Sequence, residues 1–242
     1  MTAPRTGPAL RFSGALRVAG RVLFDKIEMT APGGQWTCLL GPSGIGKSTL
    51  LHGFAGLAET DGAAVAADGH PLAGRVALMA QSDMLLPWLS IEANVTLGDR
   101  LRGTRTDADR AARVLEDVGL ADLAQRKPRA LSGGQRQRAA LARVLYEDRP
   151  VVLLDEPFSA LDVATRTAMQ ALAARELAGR TVLHVTHDPA EAARLGQEIL
   201  IMTRAGLTRV APAAAPIPRA PDAPQTLAVT GQLTRALLEA AA

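Results

Sequence analysis

The chain has 242 residues, 48% hydrophobic and 21% charged, with 27 Lys and Arg against 24 Asp and Glu, for a formal charge of +3. That balance excludes a largely disordered chain, and it offers too little positive charge to suggest a nucleic-acid partner. No apolar run reaches the roughly 18 to 20 residues that cross a bilayer, and the N-terminus has no long apolar leader; a cytoplasmic protein is expected, with any membrane part supplied by another polypeptide.

In chain order, the first strong strand signal is the apolar run 35–40. It holds the single cysteine, Cys38, among Trp36, Leu39 and Leu40, which reads as an inert buried thiol. A Gly-rich loop follows directly. Residues 75–80 form a second strand run ending at Gln81. An apolar cluster comes next, Met84-Leu85-Leu86-Pro87-Trp88-Leu89-Ser90-Ile91. No comparable strand appears between Gln81 and Ser132, so this stretch reads as a mainly helical insertion in an α/β core. Thr106 with Asp109 suits a helix start, with Ala111, Val114, Leu115 and Val118 on one face and Gly119 ending it. Ser132 with Gln135 forms a capping box for a helix carrying Leu141, Val144 and Leu145. Runs 151–154 and 181–185 are two more buried strands, followed by Asp155 and by Thr186-His187. Asp188-Pro189 is an N-cap with Pro at the first helical position. Residues 211–224 are rich in Pro and Ala and read as an extended linker, with a short terminal helix over 233–241.

Gly41-Pro42-Ser43-Gly44-Ile45-Gly46-Lys47-Ser48 matches the phosphate-loop pattern without a gap, and Thr49 follows. Glycine lets the backbone wrap close to phosphates. A helix N-terminus presents free N–H groups to anions. Lys47 suits the β and γ phosphates of a nucleotide, Ser48 a Mg²⁺ ion and Thr49 the α phosphate. This pattern by itself means only a nucleoside triphosphate. Val151-Val152-Leu153-Leu154-Asp155 is a buried strand ending in a carboxylate fit to hold Mg²⁺ through water, as in a Walker B motif. Glu156, one residue on, is placed to polarise an attacking water as general base.

Leu131-Ser132-Gly133-Gly134-Gln135 narrows the family. A Ser cap and two glycines open a helix and bare a second set of N–H groups. With the polar run Arg136-Gln137-Arg138, and with the Walker B strand at the right spacing, this segment resembles the signature of the ABC ATPases. The likeness spans roughly residues 10–210, with all motifs in order. It implies a P-loop NTPase (RecA-like) α/β core with an antiparallel β subdomain and an inserted helical subdomain over about 83–139, within a domain at 8–215. A Pro/Ala-rich tail over 216–242 completes the chain. The resemblance implies that Gln81 contacts Mg²⁺ and water, that Ser159-Ala160-Leu161-Asp162 forms the D-loop, and that His187 senses the γ-phosphate. His52, His70 and His184 read as structural. It also implies a head-to-tail homodimer in which two ATP molecules lie between Lys47-side loops and Ser132-side signatures.

Many relatives stack an aromatic residue on adenine upstream of the phosphate loop. Here Val18, within 16–20, takes that position, and Phe12 and Phe24 are the nearest substitutes. The Leu-Leu-Pro-Trp wording resembles the ATPases of the nitrate, sulfonate and taurine importers and their thiamine-precursor (hydroxymethylpyrimidine) relatives, with a lean toward the last. This implies a peripheral ATPase on the cytoplasmic face of the membrane. It would work with permease subunits and, indirectly, a periplasmic substrate-binding protein. The alternative class is a soluble ABC ATPase of DNA repair or translation. Those usually carry two cassettes, a coiled coil or a basic arm, and this chain shows one cassette.

Overall fold

The computed structural model describes residues 6–18, 21–58 and 61–241. The chain divides into two compact units. The first takes the described residues of Met1–Val76, Arg149–Glu156 and Ala178–Ala242; the second is Ala77–Asp148 with Pro157–Leu177.

The first unit contains two sheets. Strands β1 (Leu10–Val18) and β2 (Arg21–Ala31) form a hairpin, and β4 (Ala63–Ala66) adds to the other side of β1. All pairings in this sheet are antiparallel. In the second sheet β3 (Trp36–Leu40) lies between β7 (Thr181–Val185) and β8 (Glu198–Thr203), with β6 (Val151–Asp155) beyond β7. These contacts are parallel, and β9 (Gly206–Val210) closes the sheet as an antiparallel hairpin with β8. Every residue of β3, β6 and β7 is buried. Parallel strands covered on both faces require such continuous apolar runs, and each fully buried Leu or Val contributes roughly 1.5 to 3 kcal/mol. Cys38 is 0% exposed, and burial pushes its thiol well above the usual range. Phe12 and Phe24 are both core residues, Phe12 packed edge-on against Phe54. Neither is placed to stack on a base. The side chain of Val18, and Gly20, lie outside the described residues.

The first unit also holds helices α1 (Lys47–Phe54), α7 (Pro189–Leu195) and α8 (Pro224–Ala241). Asp188 caps α7 through the Ala190 amide, with Pro189 at the first helical position, as the sequence indicates. The terminal helix is longer than the 233–241 expected, because Thr226, Val229 and Leu233 form a buried face that extends the helical period backwards. Nor is the Pro/Ala segment a free linker. Arg219 is 5% exposed, and its guanidinium donates to the carbonyls of Ala193 (2.9 Å) and Gly196 (2.8 Å) at the C-terminal end of α7. Arg194 in turn donates to the Arg219 carbonyl at 3.1 Å. Helix ends leave orphan carbonyls, and a cation there meets the negative end of the dipole.

The second unit is helical apart from the end of β5 (Val76–Met79), the strand within which the chain enters it. Its helices are α2 (Ile91–Val95), α3 (Leu97–Arg102), α4 (Ala108–Asp117), α5 (Gly133–Glu147) and α6 (Val163–Glu176). The expected face of α4 is buried, and Gly119 ends the helix at φ 66°. The cap differs from expectation. It is Asp107, whose carboxylate accepts from the Arg110 amide at 2.9 Å, and not Thr106. A carboxylate at that position also complements the helix dipole, which a hydroxyl does less well.

Arg219→Ala strands two carbonyls and opens a void, and should cost about 2 to 4 kcal/mol. Urea unfolding checks this; a loss under about 0.5 kcal/mol, the usual result for an exposed arginine, would show that the tail does not hold α7.

Candidate functional site

Strands β6, β7 and β3 are neighbours and run in parallel, so their carboxyl ends lie side by side. Asp155 pairs with Val185 in register, and Val185 with Leu39. The Glu156 amide donates to Val185 O at 2.9 Å and the Thr186 amide to Leu39 O at 3.2 Å. The three loops that follow these strands carry Gly41 to Ser48, Glu156 and His187. Ligands of open α/β sheets bind at this edge.

The phosphate loop folds as its glycines permit. Gly46 has φ 109°, and a Cβ there would come 2.8 Å from Leu23 Cδ1 and 3.0 Å from Leu16 Cδ2. Leu16 and Leu23 thus supply apolar carbon beside the loop. Gly41 has φ 151°, and a Cβ would meet Met202 O at 2.3 Å. Pro42, Ser43, Gly44 and Ile45 form the bend between them, with Ser43 and Gly44 exposed. Lys47 begins α1 and is 7% exposed; its ammonium donates to Gly41 O (2.7 Å) and Pro42 O (2.9 Å). Two of its three donors are so engaged. Burial lowers its pKa, against the attraction of Glu156 and Asp155. Ser48 and Thr49 follow in the first turn, both half-buried.

Asp155 is 2% exposed, and burial raises its carboxyl pKa, opposed by a hydrogen bond with Ser48. Its Oδ1 has no hydrogen-bond partner among the described residues. A buried, orphaned carboxylate oxygen beside a serine hydroxyl suits a hard cation that keeps several waters. Among the described residues no group of three His, Cys, Asp or Glu could hold a metal alone. A Mg²⁺ ion would therefore rest on Asp155, Ser48 and phosphate oxygens.

Glu156 sits at φ 49°, a left-handed conformation unusual outside Gly and Asn. Residues forced into such regions cluster at active sites. The carboxylate it presents lies 3.1 Å from His187 Nδ1, and the His187 side chain is 61% exposed. The other histidines behave structurally: His184 is 0% exposed and packs edge-on against Trp36, His52 is half-buried on α1, and His70 is exposed in a turn.

In the second unit, Gln81 follows β5 and is exposed. It lines a recess of about 220 Å³ with Asp83, Gly133, Arg136, Gln137 and Ser159. The capping box at the start of α5 is complete: the Gln135 amide donates to Ser132 Oγ, and the Ser132 amide donates to Gln135 Oε1 at 2.8 Å. Gly134 lies tight against the next loop, since a Cβ there would meet Ala160 O at 3.2 Å. Gln137 spans the same gap, donating to Ser159 Oγ (3.2 Å) and accepting from the Ala160 amide (2.9 Å). Its role has no signal in the sequence beyond its place in a polar run. Arg136 pairs with Asp83 at 2.9 Å, and Arg143 donates to the carbonyls of Asp83 and Met84. Met84 (63% exposed) and Trp88 (65%) stand out from this braced segment. Asp162 caps α6 through the Thr165 amide, and that bond holds its carboxyl below the usual range.

The raised pKa of Asp155 makes a stability prediction. The folded state holds this proton more tightly than the unfolded chain does, so the group favours folding in acid and that contribution is lost as pH rises through its folded pKa. Asp155→Asn should therefore raise the Tm of the nucleotide-free protein near pH 7.5, with the gap closing as the solution is acidified. A lower Tm for the variant at both pH values would show that attraction to Lys47 outweighs burial.

The chain matches the family described as ABC transporter over residues 24–159. It is 49% identical to an aliphatic sulfonates import ATP-binding protein of Rhodococcus jostii, over 78% of this chain and 76% of that one. It is 40% identical to its counterpart from Delftia acidovorans, over 98% and 97%. Among solved structures, an ATP-binding cassette determined as a dimer in a post-hydrolysis state with ADP and Pi superposes with a TM-score of 0.72, at 28% identity, covering 83% of this chain and 97% of that one. A bacterial Atm1-family ABC exporter with ATP bound shares the fold over part of its length, with a TM-score of 0.74 at 22% identity over 84% of this chain and 39% of that one. The chain belongs to the ABC transporter family, as one of its ATP-binding and ATP-hydrolysing subunits.

Proposed function

We propose that this subunit powers an importer for aliphatic sulfonates, as a homodimer on the cytoplasmic face of the membrane. It works with separate permease subunits that receive solute from a periplasmic binding protein. The observation that carries this reading is near full-length similarity to sulfonate import ATP-binding proteins, joined to the exposed Met84 and Trp88 side chains of a segment braced by Arg143. No described helix is long and apolar enough to cross a membrane. Of the solutes suggested by the Leu-Leu-Pro-Trp wording, the relatives favour the sulfonate over the thiamine precursor.

The site residues take these roles. The loop Gly41 through Gly46, through the backbone amides of Ser43 to Gly46, and the third donor of Lys47 hold the β and γ phosphates, and Thr49 holds the α phosphate. Ser48 and, through water, Asp155 would hold Mg²⁺, and Gln81 is the further group that the family resemblance assigns to the ion. When bound, the ion neutralises charge that develops between the β and γ phosphates. Glu156 orients the water and takes its proton. His187, fixed against Glu156, contacts the γ-phosphate. Ser132, Gly133, Gly134 and Gln135 of a second copy offer helix N–H groups to that phosphate, and Asp162 of the D-loop fixes the approach. Adenine rests on apolar carbon from Leu23, which is only half-buried beside the loop. Catalysis is positioning and electrostatic stabilisation of a loose phosphoryl transition state.

Glu156→Gln keeps the shape of the site but removes the base. Turnover should fall at least about 100-fold, while ATP binding persists and ATP shifts the protein to a dimer on size exclusion. Full turnover in this variant would remove Glu156 from the role. Co-expression with candidate sulfonate permease subunits, reconstitution in vesicles, and ATPase activity stimulated by binding protein loaded with an alkanesulfonate test the importer. Stimulation by DNA or ribosomes, with no permease bound, would overturn it.

A further inference from the structure

Behind the loop that carries His187 lies a buried carboxylate with no role in the roles given above. Glu191, in the first turn of α7, is 5% exposed. Its Oε2 accepts a 2.8 Å hydrogen bond from the hydroxyl of Thr186, itself 2% exposed. The same hydroxyl oxygen accepts from the Asp188 amide at 3.1 Å. Thr186 and Asp188 flank His187, so this bond closes a tight turn around it. A threonine hydroxyl has one proton and can rotate freely. With its proton directed at a carboxylate, its lone pairs face the Asp188 amide. The Nε2 of the fully buried His184 lies 3.5 Å from the same carboxylate oxygen. Glu191 is thus placed from both sides. On the other side of the turn, His187 Nδ1 meets Glu156 at 3.1 Å.

We infer that Glu191 is a positioning residue for ATP hydrolysis: through Thr186 it locks the turn that holds the His187 imidazole against Glu156. This rests on the role proposed for His187. The chain of contact runs from Glu191 to the Thr186 hydroxyl, to the Asp188 amide, and so to the backbone on both sides of His187. Glu191 and Thr186 are both buried and so closed to a nucleotide, and loss of their bond should slow turnover while leaving ATP affinity alone.

The test uses the full chain and six variants of the turn, with ATPase kinetics and ring ¹⁵N NMR of the four histidines. Glu191→Ala and Thr186→Val should each lower kcat about tenfold, with KM for ATP changed less than about twofold. Each should also blur the single His187 tautomer that donates from Nδ1 to Glu156. The double variant should be no slower than either single one, because both remove the same link. Thr186→Ser and Glu191→Gln, which keep the hydroxyl donor and an acceptor, should recover most of the lost turnover and the tautomer. Losses that multiply in the double variant, or a loss of kcat with the His187 signal unchanged, would mean that Glu191 acts only on general stability and would overturn the proposal. His187→Ala separates this from the reading it rests on. Slow His187→Ala with fully active Glu191→Ala removes the positioning role alone; fully active His187→Ala removes the switch role of His187, and this inference with it.

Discussion

Three neighbouring strands that run the same way and end together set the rest of the site. A parallel ladder aligns carboxyl ends. The register that pairs Asp155 with Val185 and Val185 with Leu39 therefore brings three loops to one edge. Continuous apolar runs in β3, β6 and β7 let these strands be covered on both faces. Each strand then delivers its own kind of group to that edge. Glycine follows β3, where the backbone must bend. A carboxylate ends β6, and another follows it in a left-handed conformation. Histidine follows β7, where the next helix begins.

The same edge holds charge at a cost. Lys47 and Asp155 are both buried, and burial moves their pKa values in opposite directions, each toward the neutral form. Their mutual attraction offsets only part of this. Backbone carbonyls absorb two donors of the ammonium, and a serine hydroxyl serves one oxygen of the carboxylate. The groups left over, one N–H donor and one carboxylate oxygen, are those that a phosphate and a cation would satisfy. The strained backbone at Glu156 belongs to the same pattern, since a conformation that weakens the fold aims the carboxylate at His187.

Much of this was legible in the sequence because it depends on local rules. The phosphate loop, the capping box at Ser132 and the N-cap at Asp188 are short motifs with fixed backbone needs, and each formed as read. The buried strands were legible from apolar runs, and Cys38 from its neighbours. Misreadings fell where distant contacts decide. The 211–224 segment has the composition of a linker, and only the carbonyls at the end of α7, some 20 residues earlier in the chain, turn Arg219 into an anchor. The terminal helix began earlier than expected because Thr226 and Val229 are buried by tertiary packing, which composition does not reveal. At α4, Thr106 and Asp107 are both good caps, and adjacency gave no way to choose. Gln137 and Glu191 were silent for a similar reason: a polar residue in a helix says nothing about its partner until the fold supplies one.

Cys38 has a further use that its chemistry does not suggest. Fully enclosed in the central strand, with its thiol held protonated by burial, it is hidden from alkylating dyes as long as the sheet is intact. The natural chain is thus already a cysteine-silent background. A single cysteine placed at an exposed site, such as Ser159 beside the signature helix or Leu101 on α3, would carry a fluorophore or spin label alone. Motions of the loops during the ATP cycle can then be followed by spectroscopy without first repacking the core.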